Sequence, residues 1–312
     1  MDVLVLSALR SSRRRARDGE RNAEATLLAG ASPRDRRESM QRVAIVLTLV
    51  HVAALGLGLA GILIVMPHPE LLNTAASISF YAWATGNAGS LGMITGAAAV
   101  LAWGGWAIGW RRTLIFFVVS CVVSATAELT GTKTGWPFGG YEYLSLLGWK
   151  MAGRVPVGIP LSWFYMGLVS YALAHAIVLP RDDRRSNVFT IALGTWFLVA
   201  WDLVLDPAMA ALPRIQFWAW HEHGSYFGMP LRNLAGWYGT GFAFIGLSRW
   251  LWGSDIGSLE GRLTIPLFIY VVNVVWAMIL ALSAGLWQTA FALVIVAIFP
   301  AIFAFSRRAV PR

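Results

Sequence analysis

Long unbroken apolar runs set the strongest limit on what this chain can fold into. About 18 to 20 residues cross a hydrocarbon core roughly 30 Å thick, and backbone inside lipid must close its own hydrogen bonds, as a helix does. Eight runs meet or approach that length, at about 42–66, 88–110, 113–130, 157–180, 187–207, 230–251, 264–284 and 286–305. Of the 312 residues 57% are hydrophobic and 13% charged, with a mean hydropathy of +0.61; soluble domains carry roughly 25% charged residues. The expected fold is all-α, a polytopic integral membrane bundle of about eight transmembrane helices. Between the first two runs, LLNTAASISFYAWATG (71–86) is short and polar for a span, so interfacial, re-entrant and spanning readings all stay open.

The net charge of +9 suggests a nucleic-acid partner until it is mapped. Ten arginines lie between Arg10 and Arg42, and most other basic residues flank apolar runs, a pattern of membrane topology with no nucleic acid implied. With the N-terminus inside, one face also collects Arg111, Arg112, Arg181, Arg184, Arg185, Arg249, Arg262, Arg307, Arg308 and Arg312, making twenty; the other has five, Lys133, Lys150, Arg154, Arg214 and Arg232. That bias predicts both termini on the cytoplasmic side of the cell (inner) membrane. Three parts follow: an arginine-rich, disordered cytoplasmic extension (1–39), a transmembrane catalytic domain (40–306) with a natural beginning at Met40-Gln41-Arg42, and a basic cytoplasmic tail (307–312).

Polar, aromatic and glycine-rich stretches, 128–145 and 206–228, fall on the non-cytoplasmic side, so an active site is expected to open toward that half of the bilayer. Gly158-Ile159-Pro160-Leu161 and Gly228-Met229-Pro230-Leu231 each begin a run, and proline suits a first helical turn. Both helix N-termini would direct their positive dipole ends to that region.

The chemistry there is acidic. In WDLVLDP, Asp202 and Asp206 stand four residues apart, on one face of a helix, and Glu128 ends another run on the same side. Acids in lipid face a bundle interior, find partners or hold a proton. For Asp206 a simple helix-end acid reaching headgroup water is the competing reading. Glu142, between Tyr141 and Tyr143, is either a site acid or a wet interfacial residue. His221 and His223 could chelate a metal from a loop, hydrogen-bond ordinarily, or line a polar pocket. TGTKTGWPFGG lacks the order of a P-loop, and the single cysteine, Cys121, excludes an intrachain disulfide or a cysteine-based cluster. Aromatics crowd the acidic face: Trp136, Phe138, Trp163, Trp201, Tyr226 and Trp237 among them. An interfacial belt explains many, but ring faces also stabilise cations by roughly 0.5 to 2 kcal/mol each. Neutral acids, aromatic faces and an apolar bundle are together what proton addition to an alkene requires.

The ordered series ELTGTKTGWPFGGYEY (128–143), VGIPLSW (157–163), WDLVLDP (201–207) and WAWHEHGSYFGMPLRNLAGWY (218–238) resembles the CruF-type carotenoid 1,2-hydratases, membrane proteins of carotenoid biosynthesis that include the bisanhydrobacterioruberin hydratases. The likeness covers roughly 43–305, leaving 1–39 outside it. It implies hydration of the terminal C1–C2 double bond of an acyclic ψ-end, without cofactor or metal, on an apolar carotenoid such as lycopene or γ-carotene drawn from the lipid membrane, alongside other enzymes of the pathway. It carries no catalytic assignments. The residues themselves nominate Asp202, Glu128 and Asp206 as catalytic, and Trp136, Phe138, Tyr141, Glu142, Tyr143, Trp163, Trp201, His221, His223, Tyr226, Asn233 and Trp237 as substrate-binding. Two other classes stand beside it. Asp202-x-x-x-Asp206 is half of the aspartate pattern of Mg²⁺-dependent intramembrane prenyltransferases, though a second acidic motif is missing; a carotenoid carrier or scaffold would bind pigment without changing it.

Overall fold

A computed structural model describes residues 33–179 and 183–295. Most of the expected extension, the 307–312 tail and the second half of the 286–305 run lie outside the described residues. The chain is mostly helical. Helix α1 (Pro33–Ala60) continues into a π-helical turn, Gly61–Val65; it begins within the stretch assigned to the disordered extension, so residues 33–39 are helical. Helix α2 (Ala75–Gly104) opens on a capping box between Thr74 and Ser77, each side chain satisfying an otherwise unpaired N–H. The 71–86 segment is therefore no separate hairpin in the membrane; from Ala75 it is the first turns of one continuous helix.

A second π turn, Gly105–Gly109, joins α2 to α3 (Trp110–Thr134). Gly109 breaks the helical path with a φ of +91°, where a side chain would be strained. Then follow α4 (Gly158–Val178), α5 (Arg184–Ala211), α6 (Leu231–Trp252), α7 (Thr264–Ser283) and α8 (Trp287–Leu293). Among the described residues, five helical segments are long and apolar enough to cross a membrane, and one of them, Ala75–Thr134, contains both α2 and α3.

Helix α4 is buried along almost its whole length, as an all-round apolar helix must be, and packs against α2, α3, α5, α6 and α7. Its crossing with α5 is close because position 194 is glycine; a Cβ there would lie 3.0 Å from the Tyr171 Cα. At one end of the bundle Arg112 donates to Ser254 (2.9 Å), Arg249 to Asn187 (3.1 Å) and Arg262 to the Ala107 carbonyl (2.7 Å), while His175 pairs with Asp255 at 3.0 Å.

The opposite end departs from an all-helical picture. Strand β1 (Tyr141–Tyr143) pairs antiparallel with β4 (Trp218–Trp220), Tyr141 opposite Trp220 and Tyr143 opposite Trp218, while β2 (Lys150–Met151) and β3 (Val155–Pro156) form a small hairpin. The alternation in YEY turns both tyrosines inward and leaves Glu142 exposed. This ribbon closes the bundle over the C-terminal turns of α3 and α5 and the N-terminus of α6.

Candidate active site

Three carboxyl groups gather beneath the ribbon. Glu128 on α3 is 3% exposed, and Asp202 and Asp206 on α5 are 0% and 6% exposed. Helical periodicity stacks the two aspartates, and Pro207 follows within the last turn and a half of α5. Their carboxyl groups interact directly with each other. Asn233, in the first turn of α6, donates to Asp206 Oδ2 at 2.5 Å and lies 3.4 Å from Asp202 Oδ2. The α6 N-terminus thus points its dipole at the pair. Among the described residues, Asp202 Oδ1 is a buried carboxyl oxygen with no hydrogen-bond partner.

Three donors from the described residues meet the Glu128 carboxyl. The Tyr141 hydroxyl donates to Oε2, as does Tyr143 at 2.9 Å, and the Trp163 indole donates to Oε1 at 2.9 Å. Burial first, and the adjacent Glu128 carboxyl second, hold both phenols well above the ordinary tyrosine range, so they remain protonated donors at neutral pH. The ribbon positions them: each tyrosine ring packs on its cross-strand tryptophan, Tyr141 on Trp220 at 5.4 Å and Tyr143 on Trp218 at 5.9 Å between centroids.

Aromatic rings wall the acids. Trp163 stacks on Trp237 with centroids 3.9 Å apart, and Trp201 meets Trp237 edge-on at 6.2 Å. Phe138 contacts Tyr141 and Trp163, both at 6.2 Å. It fits because two facing helix positions are glycines: a Cβ at Gly131 or at Gly236 would come within 2.8 or 2.7 Å of its ring. Tyr226, from the loop before α6, donates to the Leu203 carbonyl at 3.1 Å and borders Asp202 electrostatically.

Seven of the nominated binding residues therefore share one cluster with the three acids: Phe138, Tyr141, Tyr143, Trp163, Trp201, Asn233 and Trp237. Tyr226 sits at its edge. Trp136 is 70% exposed, and Glu142, His221 and His223 are also on the surface, away from the carboxyls. Both histidines lie in the loop after β4; the backbone of His221 is held by Gly140, and their side chains do not join the acids. Sequence reasoning counted Trp218 and Trp220 among the aromatics of the acidic face without giving them a role, and missed Gly131 and Gly236 as supports. Their signal was present, in the WAW alternation that mirrors YEY and in glycines three residues after Glu128 and Asn233.

Fold and site together define a helical membrane protein with a buried, aromatic-walled carboxyl cluster. A family model described as "Carotenoid biosynthesis protein" matches residues 88–300, and the chain belongs to that family. That stretch contains all three acids and every nominated binding residue. The chain is also similar to bisanhydrobacterioruberin hydratase of Haloarcula japonica, 35% identical over 153 residues, or 49% of this chain and 50% of that protein. The chain thus spans about half the length of the curated relative it matches. No solved structure matches it.

Proposed function

We propose that this protein is a carotenoid hydratase, adding water across the terminal C1–C2 double bond of an acyclic carotenoid end. One observation carries the reading: Asp202, beside a second carboxyl, keeps one oxygen unpartnered in a buried, aromatic-lined site. The similarity to a hydratase supports the reaction class.

In the reaction, Asp202 gives its proton to C2, and the alkene π electrons form the new C–H bond. The resulting tertiary cation at C1 faces the rings of Trp163, Trp201 and Trp237, and ring faces stabilise a desolvated cation by about 2 kcal/mol each. Glu128 supports the same charge as a carboxylate, the form that uses all three of its donors. Water bonds to C1 and releases a proton to Asp206, which passes it to Asp202. Atoms balance to one added water, and the pair is reset. Tyr141, Tyr143 and Asn233 hold the carboxyls in place; they are positioning residues.

The arginine-rich end of the bundle is read as cytoplasmic, from the positive-inside rule, which puts the carboxyl cluster toward the non-cytoplasmic half. The eight-helix count and both termini inside belong to the same reading. Expression in a bacterium that accumulates lycopene tests the function. The expected product is lycopene heavier by one water, with its hydroxyl at C1; bound pigment of unchanged mass would favour a carrier and overturn the hydratase reading.

A further inference from the structure

Beside the carboxyl cluster, and sharing Trp201 with it, lies a second feature. An apolar groove of about 260 Å³ runs between α1 and α2, with one wall from α4, α5 and α7. We propose that it is the binding channel for the polyene chain of the substrate, holding one half of a linear carotenoid while the other half stays in the bilayer; this rests on the hydratase reading.

Four observations converge on that occupant. The first is shape: the lining follows α1 from Ala54 to Val65 and α2 from Ser77 to Met93, which at 1.5 Å per residue is about 17 and 24 Å of helix. A slot of that length suits an extended molecule. The second is polarity. Lining hydroxyls and amides are already satisfied by protein: Thr85 donates to the Tyr81 carbonyl (2.8 Å), Ser162 to that of Ile159 (2.8 Å), Tyr165 to Asn273 (3.0 Å), and Asn273 to His51 (3.0 Å). Apart from the unpartnered indole N–H groups of Trp201 and Trp276 among the described residues, the surface left to a ligand is mainly hydrocarbon.

The third is continuity with the acids. Trp201 and Leu205 line the groove, and each is one residue from Asp202 or Asp206, about 100° round the same helix. Trp218 also lines it and packs on Tyr143, which donates to Glu128. Trp201 is 3% exposed and its indole N–H has no partner among the described residues; a π face is a weak acceptor for such a group. The fourth is the π turn at Gly61–Val65, which contributes Gly61, Ile62 and Val65 to the lining; π segments within helices are frequent at functional sites. At the rim, Leu57 and Phe80 are exposed, so the groove opens to the bundle exterior, where lipid lies.

The test uses full-length protein bearing Asp202→Asn, purified in detergent from a lycopene-making host, with pigment-to-protein ratio as readout. The Asp202→Asn protein is expected to retain pigment. Adding Ala88→Phe or Ile62→Trp, which project into the groove from opposite helices, should lower the ratio at least ten-fold with the melting transition preserved. Adding Val122→Phe on the exposed side of α3 should leave it unchanged. Should either filling variant lose its melting transition, Ala88→Leu replaces it and must still lower the ratio. Undiminished pigment in the filled variants, a phospholipid found in the groove in place of pigment, or no pigment bound at all would each overturn the channel. Conversion of pigment by the Asp202→Asn protein would instead sink the acid assignment, while the bound-pigment ratios would still decide the channel.

Discussion

Asp202→Asn is expected to cut carotenoid hydration by about 10²- to 10⁴-fold, the usual worth of a positioned proton donor, while leaving the protein folded. Asparagine has the same shape and can hydrogen-bond Asp206, so packing around α5 is kept. It has no acidic proton to deliver, and its outer atom occupies the place of the unpartnered Asp202 oxygen. Asp206→Asn should also slow hydration, because it removes the group that takes the proton released by water and alters the contact with Asn233. Product formed per unit of purified protein checks both. Wild-type turnover by Asp202→Asn would refute the assignment.

Glu128 should show its effect in stability as well as in rate. Glu128→Ala strands three buried donors, Tyr141, Tyr143 and Trp163, at about 1 to 3 kcal/mol for each unsatisfied group. Glu128→Gln should be far milder to stability. Its amide oxygen can accept from the Trp163 indole, and tyrosine hydroxyls can turn to accept from its amide N–H. Activity should fall in both, since neither supplies a negative charge beside the cation. Combining Glu128→Leu with Tyr141→Phe and Tyr143→Phe removes two of the stranded donors with the acceptor and should recover much of the lost melting temperature without activity. Thermal melts in detergent, run beside turnover, distinguish the cases. Equal melting temperatures for Glu128→Ala and wild type would contradict the three-donor network.

How much of this could be read in the residues follows from the range of each interaction. The helices α3 to α7 begin and end within four residues of the apolar runs, because lipid-length burial is written locally. Asp202 and Asp206 were legible as one face for the same reason: four residues make one turn. Glu128 joined them only through topology, as a third acid at the same end. The ribbon was not legible. Tyr141 and Trp220 are paired across dozens of intervening residues, and a three-residue strand carries too little pattern to announce a partner. That ribbon decides which neighbours matter: it turns Tyr141 and Tyr143 onto Glu128, leaves Glu142 outside, and puts His221 at the surface. Trp136 is two residues from the buried Phe138 yet is exposed, a distinction made by the two glycines that clasp Phe138. The groove was beyond sequence reasoning altogether, since it is the space left between helices and no residue type marks it.

Hydration of lycopene by the purified protein in D₂O tests whether water is added by proton transfer from a buried carboxyl to carbon. After exchange of the hydroxyl back into H₂O, one deuterium is expected to remain on carbon, at C2 next to the new alcohol, with none from the Asp202→Asn protein. A hydrated product without carbon-bound deuterium, or one formed equally by Asp202→Asn, would contradict that transfer.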